Sequence, residues 1–209
     1  MPPMIYENTD NGVVKCDIYS RLVQDRIIFL CDEIDVKLAS DTIAILLYLD
    51  RQDPKEDITV YINCPGASLS DGFFAIYDTF QYISAPISTI CAGEACSGGA
   101  FLLAAGTKGK RFAFPNSQIM IHNVQVSEIS GSKIEVEAEI KRLKEWNKVL
   151  LEVFARHTGN TLAKVTEDCA NDYYMNAKEA LKYGIIDRII KPKKVIPRLK
   201  ARKSAKVKR

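Results

Sequence analysis

The stretch ISTICAGEACSGGAFLLAAG, residues 87–106, decides the fold. Its first six residues, Ile87 to Ala92, form an apolar run of the length and β-branched character of one buried strand. Small residues then turn the chain from Gly93 to Gly99, and Ala100 to Ala105 reads as an apolar helical segment stopped by Gly106. This strand–turn–helix unit recurs on both sides. Upstream, the run at 27–31 reads as a strand and the helical spacing of apolar residues at 36–49 as a helix. A second strand follows at 58–62, ended by the turn chemistry of Asn63 to Gly66, and a helix from about 71 to 83 is broken at Pro86. Downstream lie short strands at 112–114 and 119–122. The longest helix, 134–158, is closed by Gly159, and shorter helices are expected at 161–170 and at 177–183, the latter ended by Gly184. Repeated alternation of this kind predicts an α/β fold with short crossovers.

The 209 residues suffice for one domain with a sizeable core, and their composition, 47% hydrophobic and 26% charged, is that of a soluble chain. The net charge of +3 hides an asymmetry. Ten of the 29 basic residues and none of the 26 acidic ones lie between Lys191 and Arg209. The body, residues 1–190, is therefore acidic, which argues against a nucleic-acid-binding domain. Residues 191–209 read as a solvated, disordered basic tail. No run approaches the roughly 18 apolar residues of a membrane span, and the first residues lack the pattern of a secretion signal. Six cysteines show neither a CxxC pair nor zinc spacing. A reducing compartment such as the cytoplasm is the expected setting, with an organelle as the alternative.

Ser97 is the first candidate for chemistry. It follows a buried strand, has Ala95, Gly98 and Gly99 as small neighbours, and opens an apolar helix. Small neighbours permit a tight turn, and unpaired N–H groups and the dipole at a helix start suit an oxyanion. Ala-x-Ser-x-Gly is a small-residue relative of the Gly-x-Ser-x-Gly elbow. The plainer reading of the same residue is a helix cap. A nucleophilic serine needs a base, and the chain has two histidines. His157 sits in the last turn of the long helix, where a cation suits the dipole, and reads as structural. His122, at the end of the apolar run Ile119 to Ile121, is left as the base. Asp168, Asp172 and Asp187 all follow it as possible third members. The apolar setting of Asp172, beside Tyr173, Tyr174 and Met175, favours Asp172 without deciding the matter.

The segment from Gly93 through Ser97 to Gly106, continued by Lys108 to Phe112 and by Pro115 to His122, resembles the signature of ClpP, the peptidase of the Clp protease. Further matching stretches are Asp17 to Leu22, Tyr61 to Gly66, Ile76 to Thr79 and Tyr183 to Asp187, so that the likeness covers roughly residues 4–190. The resemblance implies a crotonase-like α/β fold and a Ser97–His122–Asp172 triad, with the backbone N–H groups of Ala67 and Gly98 as the oxyanion hole. It further implies two stacked heptameric rings, or a mixed ring with a paralogue. No cofactor is implied, ATP being used by a partner AAA+ unfoldase of the ClpX, ClpA or ClpC type that feeds unfolded polypeptides. Neither a membrane nor a nucleic acid is expected as a partner. The first 20 or so residues match the axial-pore segment, the region of about 123–158 the protruding handle, and Tyr61 and Tyr82 the unfoldase-docking cleft.

Several residues depart from the family's pattern. Its Pro-Gly-Gly turn is Pro65-Gly66-Ala67 here, and an alanine at a positive φ would be strained. Gly98 replaces a methionine, the glycine-rich strand of the handle is replaced by Gln125 to Ser132, and an Asp-Arg pair before the triad aspartate is Ala170-Asn171. The chain thus reads as a divergent paralogue. Its alternative role is a weakly active or structural subunit of a mixed ring. An acyl-CoA enzyme on the same fold would leave the Ser–His pair unexplained. Cys96, among apolar neighbours, is the weaker rival nucleophile.

Overall fold

The computed structural model describes residues 2–9, 12–67, 72–126 and 128–191. An antiparallel hairpin, β1 (Met4–Thr9) and β2 (Gly12–Asp17), leads through α1 (Ile18–Gln24) into the main sheet. There β3 (Ile27–Leu30), β4 (Ile58–Cys64), β5 (Ile87–Cys96), β6 (Arg111–Ala113) and β9 (Arg188–Ile189) run parallel in that spatial order. The crossovers carry α2 (Val36–Gln52), α3 (Phe73–Tyr82) and α4 (Gly98–Ala105). Every residue of α4 is buried, which explains why its sequence is apolar all round rather than amphipathic. Leu102 and Leu103 of this helix meet Ile62 and Ile119 of the sheet in one core that also takes in Phe154.

Strand β5 is four residues longer than the sequence suggested. Gly93 to Cys96, expected as a turn, continue the strand because a second partner receives them. Thr89 to Cys91 pair with β6, whereas Glu94 to Cys96 pair with β7 (Gln118–Ile121). The switch occurs at Gly93 (φ 118°), where any Cβ would lie 2.2 Å from Asn63 Oδ1, so only glycine fits. The same Asn63 oxygen accepts a hydrogen bond from the Glu94 N–H at 3.0 Å. Beyond β7, α5 (Lys133–Thr158), α6 (Leu162–Asp168), β8 (Tyr173–Asn176) and α7 (Ala177–Tyr183) complete the chain, and β8 pairs antiparallel with β7.

Helix α5 spans 26 residues, about 39 Å at 1.5 Å per residue, and its buried residues are confined to Leu150, Leu151, Val153 and Phe154. A capping box of Ser132 and Glu135 starts it. Among the described residues 122–126 and 128–132 no strand precedes α5. The backbone N–H groups of Asn123 and Val124 bond instead to Cys169 O at 2.7 Å and Asn147 Oδ1 at 3.0 Å, so no ladder claims them. Among the described residues no helix is long and apolar enough to cross a membrane. Of the basic tail only Lys191 is described; 192–209 lie outside the described residues.

Candidate active site

Ser97 stands between the end of β5 and the start of α4 with φ 50° and ψ −121°, a combination that costs a non-glycine residue on the order of 1–3 kcal/mol. Its N–H is tied to Met120 O at 2.8 Å, and its own carbonyl accepts from the Ala100 N–H at 2.9 Å, so both sides of the turn are fixed. The side chain makes no capping hydrogen bond. The cap reading of Ser97 therefore does not describe this geometry.

The neighbouring backbone is crowded for a reason. A Cβ on Gly98 would lie 2.9 Å from the Cβ of Ala67 and 3.5 Å from the Ala67 nitrogen. The methyl at 67 thus occupies the space that a side chain at 98 would need. The strain anticipated at Ala67 does not arise. Arg26 and Ser97 are the non-glycine residues with positive φ among those described, and Gly66 (φ 148°) carries the unusual conformation next door. Neither the Ala67 nor the Gly98 N–H donates to a described backbone group.

His122 follows β7 and Asp172 precedes β8. Because Ile121 is paired with Tyr173, the antiparallel register sets these two flanking residues opposite each other. His122 Nδ1 lies 3.1 Å from Asp172 Oδ1. The imidazole is largely buried, at 14% side-chain exposure, and the carboxylate is open, at 46%. The other candidate acids are engaged elsewhere. Asp168 accepts from Lys164 Nζ at 2.7 Å and Tyr183 Oη at 2.8 Å, and Asp187 is paired with Arg111 at 2.7 Å. His157 is half-buried in the last turn of α5, within 3.2 Å of Tyr77 Oη. Burial, then Arg111 and Arg156, push its pKa below the usual histidine value.

Ser97 and His122 wall two adjoining cavities. One, of about 120 Å³, is backed by Phe73, Val124 and Leu150; the other, of about 380 Å³, is bordered by Glu33, Pro65 and Met120. Ala67 and Gln125 line both. The larger cleft of about 600 Å³ at the opposite end of α4 holds none of these groups. Its polar wall is the Arg111–Asp187 pair and its floor is a set of helix ends, which makes it a structural seam.

Sequence reading missed Gln125, whose Nε2 donates to Asp172 Oδ1 at 3.1 Å. A contact between two loop side chains 47 residues apart leaves no local signature. Tyr61 and Tyr82 lie on different elements: Tyr61, on β4, stacks on Phe29 at 5.3 Å, and Tyr82 ends α3 with 80% of its surface exposed. Cys96 is buried, and burial, then Glu94 and Asp172, push its thiol pKa upward, away from reactivity.

The mainly parallel α/β sheet thus places Ser97, at a helix head, and the His122–Asp172 pair on the same two cavities, with no hydrogen bond between Ser97 and His122. The model of the Clp protease family matches residues 10–193, and the chain belongs to that family. Its class is accordingly that of a protease.

Proposed function

We propose that this chain is the proteolytic subunit of an ATP-dependent Clp protease, cutting unfolded polypeptides by acyl-enzyme chemistry at Ser97. The observation that carries this reading is the approach of His122 Nδ1 to Asp172 Oδ1 at 3.1 Å at the edge of the cavities that Ser97 and His122 share. With Nδ1–H held by Asp172, Nε2 is the basic nitrogen. Ser97 Oγ attacks the scissile carbonyl carbon as its proton passes to Nε2. The carbonyl oxygen takes up the negative charge, and the N–H groups of Ala67 and Gly98 donate to it. The imidazolium then protonates the departing amine, leaving an ester on Ser97, which a water activated by the same imidazole hydrolyses. The smaller cavity, backed by Phe73, Val124 and Leu150, suits an apolar side chain next to the cut bond.

In this reading the chain assembles into two stacked heptameric rings, or a mixed ring with a paralogue, that enclose the sites. An AAA+ unfoldase of the ClpX, ClpA or ClpC type docks on a surface including Tyr61 and Tyr82 and spends the ATP. The β1–β2 hairpin, whose Tyr6 and Val13 are exposed, lines the pore, α5 joins the rings, and residues 1–190 act as the peptidase domain. Hydrolysis of a short fluorogenic peptide by the purified protein, abolished in Ser97→Ala, tests the chemistry. Hydrolysis that survives that substitution rejects the assignment.

A second reading, a weakly active or structural member of a mixed ring, rests on Ala170-Asn171 standing where the family has an ion-pairing Asp-Arg. Native mass spectrometry with and without a partner subunit separates the two. A lone chain that forms an active 14-subunit particle removes the second reading.

A further inference from the structure

We infer that Gln125 is a positioning residue of the site, holding the Asp172 carboxylate against His122; the inference rests on the proposed triad and deepens it. Asp172 lies just before β8 and is nearly half exposed, so neither burial nor a ladder bond fixes its side chain. A carboxylate so placed exchanges among rotamers unless a donor selects one. The same oxygen that meets His122 Nδ1 at 3.1 Å also accepts from Gln125 Nε2 at 3.1 Å. Only the amide nitrogen can face an ionised carboxylate, since a carboxylate only accepts, so the direction of this bond follows from chemistry.

The segment that carries Gln125 is itself anchored residue by residue. Asn123 N–H bonds to Cys169 O at the end of α6, Val124 N–H bonds to Asn147 Oδ1 on α5, and Gln125 reaches Asp172. Three successive residues are thereby tied to the end of α6, to α5 and to the residue before β8, which places the amide within reach of one carboxylate rotamer. The loop that leaves β7 after His122 returns a donor to the partner of His122. Its chemistry is that of a neutral donor that steadies the acid without cancelling its charge, as a lysine would.

A double-mutant cycle tests this, read as the rate of active-serine labelling by a small fluorophosphonate and as kcat and KM for a fluorogenic peptide. Gln125→Leu is expected to slow labelling and lower kcat by about 3–10-fold with KM nearly unchanged. Gln125→Glu, of equal shape but with no donor when ionised, is expected to be worse, through repulsion of Asp172. In an Asp172→Ala background, Gln125→Leu is expected to add less than about 2-fold, because residues acting through one group are not additive. A rise in KM with unchanged labelling, or full additivity with Asp172→Ala, overturns the inference in favour of a substrate contact. A crystal structure of the Gln125→Leu protein gives a readout free of activity. Asp172 turned away from His122 supports the inference, and an unchanged 3.1 Å contact overturns it. Should Ser97→Ala leave labelling intact, the triad reading fails separately, while the structural arm still judges Gln125.

Discussion

His122 Nδ1 stands 3.1 Å from Asp172 Oδ1 because β7 and β8 pair with Ile121 opposite Tyr173. The residue after one strand therefore meets the residue before the other. Backbone register, rather than side-chain packing, brings the carboxylate to the imidazole. A one-residue slip of β8 along β7, which β5 holds in place, would send the Asp172 side chain to the wrong face. In the proposed triad the carboxylate fixes which ring nitrogen carries the proton. Asp172→Asn is therefore expected to lower kcat by about 10²–10⁴-fold with little change in KM and thermal midpoint. Steady-state kinetics beside a circular-dichroism melt checks this, and a kcat within a few-fold of wild type contradicts it.

Ala67 and Gly98 form a size-complementary pair, since a Cβ at 98 would come within 2.9 Å of the methyl at 67. Gly98 does not need a positive φ, so the methyl is the obstacle. Gly98→Ala is expected to cost about 1–3 kcal/mol of stability and to slow acylation by pushing the two donors apart. Adding Ala67→Gly is expected to restore most of both. Thermal melts and labelling rates on the four proteins of this cycle decide, and a harmless Gly98→Ala, or no rescue, contradicts the pairing.

Arg111 is 5% exposed and joins three parts of the fold. Its guanidinium holds Asp187 and donates to Ala104 O at 3.2 Å and His157 O at 2.8 Å, the ends of α4 and α5. Burial pushes the Asp187 pKa up, but hydrogen bonds and charge from Arg111 pull it down and prevail. Arg111→Met strands that carboxylate and two carbonyls, at an expected cost of about 3–5 kcal/mol. An unchanged urea midpoint would contradict this.

The depressed pKa of His157 makes stability fall on the acid side. Above about pH 6.5 the ring is neutral in both folded and unfolded chains, and the group contributes no pH dependence. Below that value the unfolded chain takes up a proton that the folded chain resists, because the ring is half-buried and has Arg111 and Arg156 beside it. Stability is then lost until the pH passes the lower, folded value. Urea midpoints at pH 7.5 and 5.5 are expected to differ more for wild type than for His157→Gln. Equal differences would show that His157 does not titrate in this way.

The elements legible from sequence are those whose own residues carry the pattern. The apolar runs of β3 and β4, the helical spacing of α2 and α5, and the stops at Gly159 and Gly184, both left-handed, needed no knowledge of neighbours. The second half of β5 was hidden because Gly93 to Cys96 have turn chemistry and become strand only through β7. Strand β8 was hidden because Met175 is its one buried residue, which leaves no alternation to read. Arg26, a buried cation at φ 60° that donates to the carbonyls of Leu49, Asp53, Glu56 and Asp57, looks like any surface arginine in sequence. For the site, composition and spacing singled out Ser97 and His122 but could not choose among three aspartates. That choice depends on the register of β7 against β8, a non-local fact.

The most decisive experiment is chemical. The purified full-length protein is treated with a small fluorophosphonate, and the adduct is located by tandem mass spectrometry. A single adduct on Ser97, absent from Ser97→Ala and formed at least about 10²-fold more slowly by His122→Ala, is the expected result. An adduct on any other residue, or peptide hydrolysis by a protein whose Ser97 stays unmodified, would contradict serine proteolysis at this turn.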